Sequence, residues 1–303
     1  MNEFSGIWVP LVTPFVNGEV DSAAAEKLAK HMVDKGVHGL VVCGTTGEAL
    51  SLNSVEKTFL LEAVLDAVHG CCPVLMGLSG SSTREVANDA WAFGKTGIEG
   101  YLLSAPSYVR PSQAGIIEHF RAVAKVTDLP IIIYNIPSRT GVNIEPGTMA
   151  TLCESDQFVA VKECGGIEQL MTLMGNAPCH ILSGNDTQIF ATLAYGGHGA
   201  ISASANIHPE LFVAMYNLAR QGKWAFAHDM FNRLLPLIHI LFSEPNPAPV
   251  KAALAMQGWI HDELRLPMLP ASDLCKAKLR EALKNLEALP PIYSAEGEKA
   301  HAA

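Results

Sequence analysis

The sequence predicts an α/β protein, a (β/α)8 TIM barrel with an added C-terminal helical bundle, and three observations predict it. Short β-branched or apolar runs alternate with stretches of helical period. The runs are continuously apolar, without polar residues at every second place. The strand pattern then stops at His208, and only helical patterns follow. Alternation of strand and helix implies parallel pairing, because each crossover needs a helix to return the chain. Continuous apolar runs suit strands that are covered on both faces.

The runs cover 7–14, 39–43, 74–78, 101–105, 130–134, 159–162, 181–183 and 200–203, eight in all. Helix starts are signalled between them. Asn53 with Glu56, and Ser82 with Glu85, have the spacing of an N-cap with a reciprocal acid. After the first, Phe59, Leu60, Ala63, Val64 and Ala67 fall at helical spacing and are expected to pack on the barrel wall. Eight such units close naturally into a barrel. A doubly wound open sheet is the alternative, but no G-x-G-x-x-G follows the first strand. In residues 244–249, prolines would break one helix and pre-order the start of another. The expected division is therefore a barrel carrying the active site over 1–207, a helical bundle over 208–289, and a poorly ordered polar tail over 290–303.

Bulk composition narrows the function. The 303 residues are 49% hydrophobic and carry a formal charge of -9. That balance argues against nucleic acid or an anionic membrane as partner, since both need clustered Lys and Arg. Residues 1–6 have neither the basic nor the apolar part of a signal peptide, and no apolar stretch is long enough to span a bilayer. The 7 cysteines are odd in number and lack zinc-ligand spacing. A reduced, cytoplasmic chain with free thiols is the expectation.

In such a barrel the chemistry lies at the C-terminal strand ends. Lys162 closes the run Val159-Ala160-Val161-Lys162. Desolvation there lowers an amine's pKa and supplies the neutral form a Schiff base needs. A lysine snorkelling to the rim fits the same position. Tyr134 ends the fifth run, either as a proton shuttle or as a core tyrosine with a satisfied hydroxyl. Arg139 follows in a loop, shaped for a carboxylate or merely exposed. Gly44-Thr45-Thr46-Gly47-Glu48, after the second run, offers backbone N–H groups and two hydroxyls, a plausible carboxylate nest without the lysine of a P-loop. Cys164 has the bland reading of a structural thiol. His180, His198 and His208 fall on different elements without an evident carboxylate companion, there is no H-E-x-x-H, and no G-x-S-x-G appears. No metal and no cofactor are expected.

Gly44-Thr45-Thr46-Gly47-Glu48, Tyr134-Asn135-Ile136-Pro137-Ser138-Arg139-Thr140-Gly141 and Val161-Lys162-Glu163 occur in this order at the second, fifth and sixth strand ends. Together they resemble the dihydrodipicolinate synthase/N-acetylneuraminate lyase family, from Val12-Thr13-Pro14 to Leu266-Pro267-Met268. The resemblance implies a barrel with C-terminal helices and a Schiff-base lyase. Lys162 would form the imine with pyruvate, and Tyr134 would donate and accept protons. Thr45 would relay to Tyr108 of a neighbouring protomer. Thr46 would hold the pyruvate carboxylate, with Ile201 and Gly184 in the same substrate site. Arg139 would grip the carboxylate of aspartate semialdehyde, which places the reaction in lysine and diaminopimelate biosynthesis. The implied assembly is a homotetramer built as a dimer of dimers, with a dimer as the minimum. A 2-keto-3-deoxy sugar acid or N-acetylneuraminate-type aldolase is the alternative within the family, and a non-catalytic ligand-sensing barrel the alternative outside it.

The resemblance also bears on feedback by lysine, in a pocket near Ala49, Ser54, Lys57, Ser81, Glu85 and Ser107. The lysine-sensitive pattern of the family has histidine at the place of Lys57 and a tyrosine ring at that of Ser107. Glu85 is retained. Weak inhibition by lysine, or none, is the expectation.

Overall fold

The computed structural model describes residues 4–176 and 179–288. The chain opens with β1 (Gly6–Pro10), a small hairpin of β2 (Phe15–Val16) and β3 (Glu19–Val20), and α1 (Ser22–Asp34). There follow β4 (Gly39–Val42), α2 (Ser54–Val68), β5 (Val74–Leu78), α3 (Thr83–Phe93), β6 (Gly100–Ser104) and α4 (Gln113–Ala124). Next come β7 (Ile131–Asn135), α5 (Pro137–Thr140), α6 (Pro146–Leu152), β8 (Phe158–Glu163), α7 (Ile167–Asn176), β9 (His180–Ser183), α8 (Ile189–Ala194) and β10 (Gly199–Ile201). Four helices end the described chain: α9 (Pro209–Arg220), α10 (Trp224–Leu241), α11 (Ala248–Met256) and α12 (Asp273–Glu287).

Eight of the strands close a parallel barrel in the order β1-β10-β9-β8-β7-β6-β5-β4, each within or overlapping one of the eight apolar runs. The first run was expected to reach residue 14, but β1 ends at Pro10. Asn17 and Gly18 then take left-handed backbone, with φ of 52° and 82°, and turn the chain into the β2–β3 hairpin. Asn-Gly is the dipeptide that a two-residue hairpin turn favours, so the signal was present beside a longer apolar one.

Strand parity divides the core in two. Trp8, Val41, Leu75, Leu102, Ile132, Tyr134, Ala160, Leu182 and Ile201 form the cluster that fills the barrel. Their strand neighbours Ile7, Leu40, Met76, Leu103, Ile133, Val161, Ile181 and Ala200 belong to the layer between sheet and helices. The strands are buried on both faces, which is why they read as unbroken apolar runs. Trp8 needs room to lie inside: a Cβ on the facing Gly39 would come within 2.0 Å of its ring.

The local signals act as physics requires. Asn53 and Glu56 form a complete capping box at the start of α2. Ser82 accepts from Glu85 N at 3.4 Å, and no bond returns from the Glu85 carboxylate. On α2, Leu60, Ala63 and Val64 are buried as expected, but Phe59 is 52% exposed. Leu61 takes the inner position instead, because the buried stripe runs through Leu60, Leu61, Val64 and Val68. Pro249 lies in the first turn of α11, so the proline-rich segment does end in a helix start. The tail expected over 290–303 lies outside the described residues.

The expectation of free thiols throughout is corrected. Cys153, which ends α6, and Cys179, just before β9, are joined as a disulfide with Cα atoms 6.1 Å apart. Two neighbouring crossovers bring together residues 26 apart, which local spacing does not reveal. The other five cysteines are free. No described helix is long and apolar enough to cross a membrane.

Candidate active site

Parity and register place the two central residues. Ile132 and Ala160 point into the barrel, so Tyr134 and Lys162, each two residues further on, point the same way. The β7–β8 register pairs them directly, Tyr134 with Lys162. The Lys162 Nζ sits 4.3 Å from the centre of the Tyr134 ring, and both residues are 6% exposed. The next pair along, Asn135 and Glu163, faces outward. Asn135 Nδ2 donates to Glu163 Oε1 at 2.9 Å and Gln169 Nε2 donates to Glu163 Oε2 at 3.0 Å. Those bonds tie the two strands together directly behind the site.

Thr45 reaches this pair from the turn after β4, its hydroxyl 3.4 Å from the Tyr134 phenol. Thr46 is buried; its hydroxyl accepts from Asn246 Nδ2 at 3.2 Å. Arg139 is exposed, on the short helix α5. Its Nη2 donates to the Asn246 carbonyl at 3.2 Å, so one residue of the C-terminal part touches both Thr46 and Arg139. Ile201 is buried at the end of β10 within the barrel cluster. Gly184 follows β9, and a Cβ there would lie 2.9 Å from Lys162 Cε and 2.2 Å from Cys164 Sγ. Only glycine lets the chain pass so close to the lysine. Tyr108 stands apart: it is 91% exposed, with φ of 71°, and no described hydrogen bond joins it to Thr45 or Tyr134.

The electrostatics favour a neutral amine. Burial pulls the Lys162 pKa below its ordinary value, Cys164 and Asp186 partly oppose that, and Arg139 adds to it. Burial also pushes the Tyr134 phenol far above its usual range, with the Cys164 thiol adding to the shift and Thr45 opposing it. Tyr134 thus stays protonated through any ordinary pH, able to donate its proton and take another back through Thr45. The Cys164 thiol is pushed up to about 11 by burial against the pull of Lys162. It is therefore a thiol at neutral pH, which fits the bland reading of that residue.

Two neighbours had not been picked out from sequence. Asn246 lies about a hundred residues or more from the groups it binds, and nothing local marks it among the prolines. Asp186, 1% exposed, accepts from Ser204 N at 2.7 Å and has its pKa raised by burial. The Gly184-Asn185-Asp186 turn after the seventh run was the available signal. The histidines are closer together than expected: His180 and His198 stack with ring centres 4.1 Å apart. His208 has a carboxylate companion after all, in Glu210 at 3.3 Å. Among the described residues no group of three or more His, Cys, Asp or Glu is placed to hold a metal ion.

Comparison with known proteins agrees with this geometry. The model of the Dihydrodipicolinate synthetase family matches residues 3–286. The 4-hydroxy-tetrahydrodipicolinate synthase 2 of Clostridium acetobutylicum is 40% identical over 285 residues, covering 93% of this chain and 100% of the relative. The dihydrodipicolinate synthase of Acinetobacter baumannii, solved with pyruvate, superposes with a TM-score of 0.91 at 33% identity, over 94% of this chain and 99% of that one. DHDPS of Cyanidioschyzon merolae, solved with lysine bound, gives 0.91 at 34% identity, over 95% and 100%.

Proposed function

The chain belongs to the dihydrodipicolinate synthetase family, and from that premise we propose that it is a Schiff-base lyase. It condenses pyruvate with L-aspartate 4-semialdehyde to 4-hydroxy-tetrahydrodipicolinate, on the route to diaminopimelate and lysine. The observation that carries the reading is the buried amine of Lys162 set against the Tyr134–Thr45 hydroxyl pair. The neutral amine attacks the keto carbon of pyruvate and the carbinolamine loses water to give the imine. Loss of a methyl proton gives an enamine, which attacks the aldehyde carbon. The amine of the incoming substrate then displaces Lys162 and closes the ring. Tyr134 and Thr45 move the protons, Thr46 holds the pyruvate carboxylate, and Gly184 and Ile201 shape the cavity around it.

Tyr108 enters this scheme only from a second copy of the chain. Its exposure, together with that of Leu50, Val55, Phe59, Trp91 and Val109, supports a dimer at least, with a homotetramer as the full assembly. Where such groups form one contiguous patch they commonly mark an interface. The reading also keeps the division into a barrel over 1–207 and a helical unit over 208–289, supported by the end of strands after β10 among the described residues. It assigns the enzyme to the cytoplasm, where pyruvate is produced.

Arg139 decides the second substrate. A fixed guanidinium suits a short acid aldehyde, whereas a sugar acid needs donors for a hydroxylated chain. A panel of aldehydes and sugar acids assayed with pyruvate should show aspartate semialdehyde as the preferred partner. Arg139→Ala should lower kcat/KM for that aldehyde about ten- to hundredfold, because a charge-assisted bond is worth roughly 1.5–3 kcal/mol, while pyruvate imine formation continues. Preference for a sugar acid, or equal damage to imine formation, would contradict the assignment.

Feedback by lysine should be weak or absent in this chain. The half-buried Lys57 would face an effector that itself carries two ammonium groups. Like charges about 4 Å apart cost on the order of 4 kcal/mol at an effective dielectric of 20. Ser107 offers no apolar cover for the effector's aliphatic stem. A lysine titration of the pure enzyme should find weak inhibition or none; strong inhibition at submillimolar lysine would show that Lys57 and Ser107 do not block the pocket.

A further inference from the structure

The ion pair of Lys251 with Glu48 has no part in the reaction as derived above, yet it is built with unusual care. The two groups meet at 2.7 Å with side chains 0% and 3% exposed. The Lys251 ammonium lies 4.2 Å from the centre of the Phe15 ring, and the Arg265 guanidinium lies 4.6 Å from the same ring. Taking two charges out of water is costly, and a well-packed apolar pair commonly holds two elements together as well or better. Stability alone therefore gives little reason for this arrangement.

Its location gives a better one. Thr45 and Thr46 sit on a turn that belongs to no strand, so no ladder fixes it in the barrel. The turn's own bonds, Gly47 N to Gly44 O and Glu48 N to Thr45 O, each at 3.1 Å, set its shape but not its place. Besides the Thr45–Tyr134 contact, four outside bonds set its place. Thr13 Oγ1 donates to Gly47 O at 2.6 Å, and Asn246 Nδ2 donates to Thr46 Oγ1 at 3.2 Å. Lys251 Nζ donates to Glu48 Oε1, and the Arg265 backbone N donates to Glu48 Oε2 at 3.2 Å. Three of the four come from α11 and the segments beside it. Glu48 itself is held in left-handed backbone, with φ of 51°, a state an L side chain keeps only when its surroundings impose it. A carboxylate that takes one donor on each oxygen cannot rotate away, and charge-assisted bonds are short and directional.

We propose that the Lys251–Glu48 pair is a positioning device that sets Thr45 and Thr46 against the Tyr134–Lys162 pair, so that the C-terminal helices shape the pyruvate site without touching substrate. This rests on the reading that Thr46 holds the pyruvate carboxylate and Thr45 relays protons. Small displacements of such groups are expensive in rate. Loss of the pair should therefore raise the KM for pyruvate and lower kcat, each about tenfold. The KM for the aldehyde, which depends on Arg139, should change little. A purely structural role would change the folded fraction, which scales kcat and leaves both KM values alone.

The experiment compares three full-length proteins: wild type, Glu48→Gln, and the paired change Glu48→Leu with Lys251→Met. Glu48→Gln keeps an acceptor in place and should fold. It is expected to show the split in KM, together with a lowered melting temperature, because Lys251 is left buried without its counter-charge. The paired change removes both buried charges and should restore the melting temperature while pyruvate KM stays high. Wild-type pyruvate KM in Glu48→Gln, or wild-type kinetics in the paired variant, would overturn the proposal. If wild type itself forms no borohydride-trapped adduct with pyruvate, the functional reading beneath it fails instead.

Discussion

Lys162→Ala is expected to lose at least about a thousandfold in kcat, with the fold intact. The covalent route vanishes with the amine, and what remains is whatever binding and proton transfer can do to the uncatalysed reaction. The side chain packs close against Gly184, and its charged form is disfavoured by burial. Its removal should therefore shift the melting temperature by no more than about 5 °C. Activity within tenfold of wild type would remove Lys162 from the mechanism. The lowered pKa has a consequence for the wild-type enzyme. Only the deprotonated amine attacks, so a depressed pKa moves the acidic limb of imine formation to lower pH than an exposed lysine would give. A limb near the ordinary lysine value would contradict the burial that the structure places there.

Tyr134→Phe is expected to be the next most damaging change. It removes one hydroxyl and leaves the ring beneath the Lys162 amine, so packing and imine geometry survive. Proton transfer by a placed side chain contributes about 10²- to 10⁴-fold, and kcat should fall by that range. Pyruvate should still be trapped on Lys162, only more slowly. Because burial holds the phenol far above its usual range, Tyr134 would act, on the proposed mechanism, as a neutral hydroxyl in relay with Thr45. The basic limb of the wild-type pH profile should accordingly survive in Thr45→Val. A kcat within about threefold of wild type in Tyr134→Phe would mean that another group carries the protons.

Much of this was legible in the chain because the barrel is local in sequence. Each strand is a short apolar run, several helix starts carry their own side-chain caps, and parity alone sends Tyr134 and Lys162 inward. The candidate residues Tyr134 and Lys162 are legible as candidates for the same reason, since they stand at strand ends. What escaped was long range. Asn246 bonds Thr46 across two hundred positions, and Lys251 pairs with Glu48 across as many; no window along the sequence holds both ends. The Cys153–Cys179 bond depends on how two crossovers lie side by side. The β2–β3 hairpin was missed for the opposite reason, its Asn-Gly turn being outweighed by a longer apolar run. Phe59 shows the limit of periodicity, which finds a stripe on α2 but not its edge.

The most direct test of the central claim is reduction of the enzyme with borohydride in the presence of pyruvate, followed by peptide mass mapping. Reduction freezes the imine, so the account predicts a three-carbon adduct on the peptide that carries Lys162, and loss of activity in step with labelling. An adduct on any other lysine, or none at all, would contradict it.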